Sequence, residues 1–213
     1  PDPVAGGAEK GIWRTAAGAG PGSGIRAALT GPSPAAPAPV RVLKEAAVPA
    51  ASWVPAYIGL GSNLDDPVAQ LGRAFAELAE LPASCLIARS RLYRSAPLGG
   101  LSQPDYVNAV AAILTRLDAP VLLEALHGIE RAHGRDRTAG QRWAARTLDL
   151  DLLVQGELRL QSGQLEIPHP GIPLRNFVLL PLLEVAPFLQ IPGLGAVAKM
   201  AAATDSSGLE LIG

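Results

Sequence analysis

Two aspartates one residue apart, Asp149 and Asp151, lie in the run RWAARTLDLDLLV over residues 142–154. From Leu148 the run alternates and then becomes continuously apolar, the pattern of a strand entering a core. Successive side chains on a strand point to opposite faces, so the spacing predicts both carboxylates on one face and Leu148, Leu150 and Leu152 on the other. Carboxylates held side by side repel and raise one another's pKa unless a cation lies between them. Oxygen ligands in this number suit Mg²⁺, which takes one or two protein carboxylates and fills its shell with water and phosphate oxygens. An edge strand whose aspartates face solvent fits the same two residues.

The flank narrows the choice. Residues 130–146 read ERAHGRDRTAGQRWAAR and hold Arg131, Arg135, Arg137, Arg142 and Arg146, with Gly134 and Gly140 loosening the backbone between them. Guanidinium forks grip phosphate oxygens in bidentate fashion. An arginine-rich loop leading into a two-carboxylate strand is what phosphoryl-type transfer from a magnesium nucleotide requires, because that chemistry is mostly positioning and charge neutralisation. A solvated basic loop, or one that binds nucleic acid, is the bland reading of the arginines alone.

Several elements must hold these groups in place. VPAYIGLG (54–61) reads as a first strand ending in a Gly59 to Gly61 turn, followed by the polar pair Ser62 and Asn63. Asp66 and Pro67 signal a helix start, and Val68, Leu71, Phe75 and Leu78 trace one face. Leu86 to Tyr93 is a second strand and Tyr106 to Leu114 a third, on which Tyr106 and Asn108 share a face. Asp118 and Pro120 open a second helix with Leu122, Leu126 and Ile129 in a stripe, and Gly134 closes it. The Asp149 strand completes an α+β, ferredoxin-like βαββαβ order. Gly156 suggests an added hairpin into Leu158 to Leu160, with a short strand around Leu165 to Ile167. A C-terminal helix begins near Arg175, with Phe177, Leu180 and Leu183 toward the core.

The rest of the chain bounds the reading. The 213 residues carry a net charge of −1 and are 48% hydrophobic, enough for one domain and giving no general pull toward nucleic acid or acidic membranes. No apolar run is long enough to span a bilayer. Cys85, the one cysteine, has no internal disulfide partner and suits a cytoplasmic setting. Ala, Gly and Pro make up 30 of the first 52 residues. Such a segment cannot bury enough apolar surface to offset chain entropy. The expected organisation is therefore a disordered low-complexity extension over 1–52, a folded domain over 53–200, and a small polar tail over 201–213 that frays. A transit peptide is the functional alternative for the extension. The chain begins at Pro1 and its one methionine is Met200, so the expectation is a fragment or a processed product.

With the motifs placed, the sequence resembles the 6-hydroxymethyl-7,8-dihydropterin pyrophosphokinases. The matching stretches are AYIGLGSNL (56–64), YRSAPLG (93–99), QPDYVNA (103–109), RWAARTLDLDLL (142–153), IPHP (167–170) and RNFVLLPLLEVAP (175–187), in the family's order across about residues 54 to 192. The resemblance implies a Mg²⁺-dependent diphosphotransferase of folate biosynthesis that moves pyrophosphate from ATP to the reduced pterin. It implies two Mg²⁺ ions on Asp149 and Asp151. Arg135 and Arg146 match arginines that hold phosphates and stabilise the transferring group. Arg137 and Trp143 match residues of a loop that closes over the site, while His169 and Arg175 match further phosphate contacts. Tyr106 and Phe177 match aromatics that sandwich the pterin, and Asn108 an amide that reads its edge. Backbone groups of Ser95, Ala96 and Leu98 complete the pocket. Glu130 also matches a family position, without a clear role.

A different class is an RNA-binding module, since ferredoxin-like sheets also stack bases on exposed aromatics. Aromatics form only 4% of this chain, and a carboxylate pair repels a phosphate backbone. A ligand-binding domain without catalysis is a third reading, opposed by the complete set of charged residues. The expectation is a monomer that binds ATP and the pterin and neither nucleic acid nor membrane.

Overall fold

The computed structural model describes residues 41–44, 52–97, 102–135, 145–163 and 165–212. All lie in one unit, Pro37–Gly213; the unit Pro1–Ala36 falls outside the described residues. Strand β1 (Arg41–Lys44) precedes β2 (Val54–Ser62), α1 (Pro67–Ala79), β3 (Ser84–Arg89), β4 (Leu92–Ser95), β5 (Tyr106–Thr115), α2 (Ala119–Ala132) and β6 (Asp149–Gln155). The chain continues through β7 (Arg159–Gln161), β8 (Glu166–Ile167), a 3-10 turn (Ile172–Leu174), α3 (Asn176–Val185), β9 (Gln190–Ile191), β10 (Gly195–Ala196), α4 (Val197–Ala202) and β11 (Leu209–Ile212). The main sheet is antiparallel in the order β11-β4-β5-β2-β6, with β3 also paired to β5. This is the expected ferredoxin-like arrangement.

The first two helices cover one face of that sheet. Asp66 caps α1 by accepting from the Ala69 amide at 3.3 Å, and Leu71, Ala74, Phe75 and Leu78 are buried. Val68, read as part of that stripe, is instead exposed. On α2 the stripe Leu122, Leu126 and Ile129 is buried as read, and Gly134 takes a φ of 80° just beyond the helix. These side chains pack on Ile58, Leu60, Val107, Ala109, Leu148, Leu150 and Leu152 from the strands. Each fully buried leucine or isoleucine there contributes about 1.5–3 kcal/mol relative to exposure.

Several local expectations are corrected. The second strand is two, β3 and β4, broken at Ser90, whose hydroxyl accepts from the Val110 amide at 2.9 Å and so lets the strand bend without orphaning that donor. Gly59 and Gly61 form no turn; both lie within β2. The added hairpin pairs β7 with β8 around Ser162, rather than folding back across Gly156. On α3 the buried residues are Val178, Leu179, Pro181 and Leu182, while Phe177, Leu180 and Leu183 are half-buried. That helix is apolar on nearly every side, so periodicity could not single out its face. Within the segment expected to lack structure, β1 pairs with β7. Residues 1–40 and 45–51 lie outside the described residues. Within the tail expected to fray, β11 pairs with β4 from Leu209↔Ser95 to Ile212↔Leu92, because LELI supplies a short run of strand-forming residues to an open sheet edge.

Candidate active site

Strand parity builds the site. Tyr57, Gly59 and Gly61 on β2, Tyr106, Asn108 and Val110 on β5, and Asp149, Asp151 and Leu153 on β6 all fall on the face away from α1 and α2. Part of this second face is closed by a core of Val110, Leu153, Ile172, Val178, Leu179 and Leu182. The uncovered part is a cleft of about 310 Å³. Its floor is open because Gly59 and Gly61 carry no side chains there: a Cβ on Gly61 would lie 3.7 Å from Asn108 Oδ1 and 3.9 Å from the Asp149 Cβ.

The charged groups of the cleft are ion-paired. Arg146 Nη1 meets Asp149 Oδ2 at 2.8 Å, and Arg135 contacts both Asp149 and Glu130. Glu130 is fully buried, and its Oε1 also accepts from the Leu150 amide at 2.8 Å. It thereby ties the end of α2 to the strand between the two aspartates. Arg175 Nη1 stands 3.8 Å from Asp151 Oδ2, and Asp151 lines the cleft. Burial and the Asp149 charge push the Asp151 carboxyl above the ordinary carboxylate range. Burial lowers the His169 imidazole below its usual value, with Asp151 opposing and Arg175 reinforcing the shift. The Gly171 amide donates to His169 Nδ1 at 3.0 Å, so in the neutral ring Nε2 carries the proton and is a donor.

Aromatic and neutral polar groups complete the lining, with the Arg175 guanidinium 6.0 Å from the Phe177 ring centroid. Tyr106 and Phe177 line the cleft with Ser95, Ala96 and Asn108. Burial raises the Tyr106 phenol and keeps it neutral. Asn108 Nδ2 donates to Ser95 Oγ at 3.0 Å and to the Tyr93 carbonyl at 3.3 Å. A backbone carbonyl only accepts, so this fixes the amide and leaves Oδ1 as an acceptor.

A single cleft thus brings together Arg135, Arg146, Asp149, Asp151, His169, Arg175, Ser95, Ala96, Tyr106, Asn108 and Phe177. Leu98, Arg137 and Trp143 lie outside the described residues. Sequence reasoning passed over Gln103, which lines the cleft, and gave Glu130 no role. The period-two spacing of Gly59 and Gly61 was the available signal for the open floor. The donor set fits magnesium: two hard carboxylates, one of them destabilised by the other's charge. Among the described residues no three His, Cys, Asp or Glu side chains converge on a metal position, so a cation here would complete its shell with water or phosphate oxygens.

Comparison with known proteins bears on the same residues. The sequence model described as 7,8-dihydro-6-hydroxymethylpterin-pyrophosphokinase (HPPK) matches residues 57–187. The chain belongs to the HPPK family. The chain is 47% identical over 139 residues to the 2-amino-4-hydroxy-6-hydroxymethyldihydropteridine pyrophosphokinase of Haemophilus influenzae, covering 65% of this chain and 86% of that one. Against the protein of the same name from Pseudomonas aeruginosa, identity is 44%, covering 72% and 94% respectively. A Plasmodium falciparum HPPK-DHPS crystal structure with pterin and p-hydroxybenzoate superposes with a TM-score of 0.56 at 13% identity. That match covers 71% of this chain and 43% of the Plasmodium chain, so this HPPK-family chain spans less than half of it, and the likeness speaks to fold alone. Among the described residues no helix is long and apolar enough to cross a membrane.

Proposed function

We propose that this chain transfers pyrophosphate from ATP to the hydroxymethyl oxygen of 6-hydroxymethyl-7,8-dihydropterin, giving AMP and the pterin diphosphate in folate biosynthesis. One observation carries the reading: a single cleft is lined by three arginines, two carboxylates, two aromatics and an oriented amide.

Asp149 and Asp151 would hold two Mg²⁺ ions with ATP, which when bound neutralise triphosphate charge and orient the phosphates. Arg135, Arg146 and Arg175 supply positive charge to phosphate oxygens, and neutral His169 adds its Nε2–H as a donor. Arg137 and Trp143 belong to the same phosphate group by resemblance. Tyr106 and Phe177 stack on the flat heterocycle, and Asn108 Oδ1 accepts from an N–H on the pterin edge. Backbone groups of Ser95, Ala96 and Leu98 complete that pocket. The hydroxymethyl oxygen loses its proton to water and bonds to the β-phosphorus as the bond from that phosphorus to the α-side bridging oxygen breaks, and AMP leaves. His169 Nδ1 is occupied by Gly171 and Asn108 is not basic, so charge and alignment supply the acceleration. The exposed thiol of Cys85 supports a reducing, cytoplasmic setting, and the reading is of a monomer without a nucleic-acid partner.

The test is product analysis after reaction of the purified chain with Mg-ATP and the pterin. AMP formed in step with pterin diphosphate is the expected result. Stoichiometric ADP would make this a simple kinase and overturn the reading.

A further inference from the structure

Asn63 is only 2% exposed and takes no part in the chemistry above, yet its backbone amide and both side-chain polar atoms are engaged. It follows β2, whose last register with β6 is Gly61↔Asp149. Beyond that pair the ladder is carried on by Asn63. Its backbone amide donates to the Arg146 carbonyl at 3.1 Å, and its Oδ1 accepts from the Arg146 amide at 2.8 Å. On the other side Nδ2 donates to the Pro104 carbonyl at 3.1 Å and, at longer range, to Gln103 Oε1 at 3.4 Å. An N–H can only donate and a backbone carbonyl can only accept, so these partners fix which way the amide points.

One buried side chain therefore grips two segments at once. One runs from Arg146 into Asp149; the other runs from Gln103 and Pro104 into Tyr106 and Asn108. We propose that Asn63 is a positioning residue that couples two chain segments lining the cleft, holding Arg146 in line with the phosphates and in register with the segment that presents the pterin-facing side chains. The inference rests on the proposed function.

Two variants separate the arms. Asn63→Ala removes both and is expected to lower kcat about 10–100-fold, the usual effect of losing an outer-shell support. Asn63→Asp keeps the acceptor for the Arg146 amide but turns an oxygen toward the Pro104 carbonyl. It is expected to raise the pterin KM about tenfold or more while kcat falls less, because a buried acceptor faces an acceptor. A cycle with Arg146→Ala supplies a readout that a merely structural role would not move. If Asn63 acts through Arg146, the Asn63→Ala/Arg146→Ala double variant turns over as slowly as Arg146→Ala alone. Losses that multiply overturn the proposal. If Asn63→Ala does not fold, Asn63→Asp decides alone, since it preserves side-chain volume, and an unchanged pterin KM refutes the coupling. A wild-type protein that releases no AMP overturns the proposed function and this inference together. Active wild type with kinetically normal Asn63 variants overturns the inference only.

Discussion

Glu130 is the carboxylate whose loss the structure prices most directly. Its Oε1 accepts from the Leu150 amide at 2.8 Å and from Arg135, and the side chain has no exposure. Glu130→Ala leaves the Leu150 donor buried, at a cost of about 1–3 kcal/mol. Arg135 keeps Asp149 as a partner, so the further charge penalty falls well below the roughly 3–5 kcal/mol of a fully orphaned buried ion. Together these give about 3 kcal/mol, or a melting midpoint lowered by roughly 6–12 °C for a domain of this size. Glu130→Gln retains an oxygen for Leu150 but loses the charge facing Arg135 and buries an NH2 where an acceptor stood, so it should cost about 1–2 kcal/mol, less than Ala. Thermal and urea melts of the two variants in the absence of nucleotide measure the difference. Equal midpoints for Gln and Ala would show that the Leu150 hydrogen bond contributes nothing, and the account of how α2 is tied to β6 would fall. Activity should follow the same order, since Leu150 lies between Asp149 and Asp151.

Three further outcomes are expected. Asp151→Asn should lower kcat by about 10²–10³ yet leave the unliganded melting midpoint unchanged or higher, because a carboxylate strained by burial and by Asp149 is made neutral; a marked loss of stability would contradict this. Gly61→Ala should fold normally, its Cβ meeting nothing closer than 3.7 Å, while the added methyl intrudes on the cleft floor and raises KM for at least one substrate; wild-type kinetics would mean ligands do not approach β2. Deleting residues 209–213 should destabilise the domain by about 1–3 kcal/mol through loss of the β11 ladder, with little contributed by the exposed Arg94–Glu210 pair, and a urea melt identical to the full chain would refute it.

Legibility in the sequence followed the range of the interactions. Asp149 and Asp151 could be placed opposite Leu148, Leu150 and Leu152 because period two is a local property, and the stripes of α1 and α2 were readable for the same reason. Gly59 and Gly61 were misread because glycine usually punctuates a chain, whereas here its missing side chain leaves room beside Asn108 and Asp149. The bulge that makes Leu153 an extra residue opposite Tyr57 and Ile58 is hidden in the apolar run LLV. Its freed carbonyl accepts from the His169 amide at 2.8 Å, a contact no spacing rule could supply. The β11 pairing joins residues more than a hundred positions apart, and four residues carry too weak a pattern to announce it. Neither the six-motif resemblance nor periodicity brought Asn63 into the site, since its importance lies in which backbone groups it meets.

The charge arrangement of the cleft limits how that site can operate. Arg135 and Arg146 both sit on Asp149, and Arg175 stands near Asp151, so the guanidinium groups proposed for phosphates already face carboxylates. A phosphate must draw them away, and the carboxylates then need another positive partner or they stand side by side uncompensated. Nucleotide without a divalent cation satisfies the arginines and strands the aspartates. A cation without nucleotide meets an Asp149 already paired with two arginines. Each alone should therefore bind weakly, and the two together far more tightly than the sum of their separate free energies, which is coupling in the thermodynamic sense. Calorimetric titration of a non-hydrolysable ATP analogue with and without Mg²⁺ measures it directly. Asp149→Asn should weaken the coupling by removing the charge that Arg135 and Arg146 both face, so that the analogue without Mg²⁺ binds this variant more tightly than wild type. Weaker binding by the variant in the absence of metal would mean that Asp149 does not compete with phosphate for those arginines.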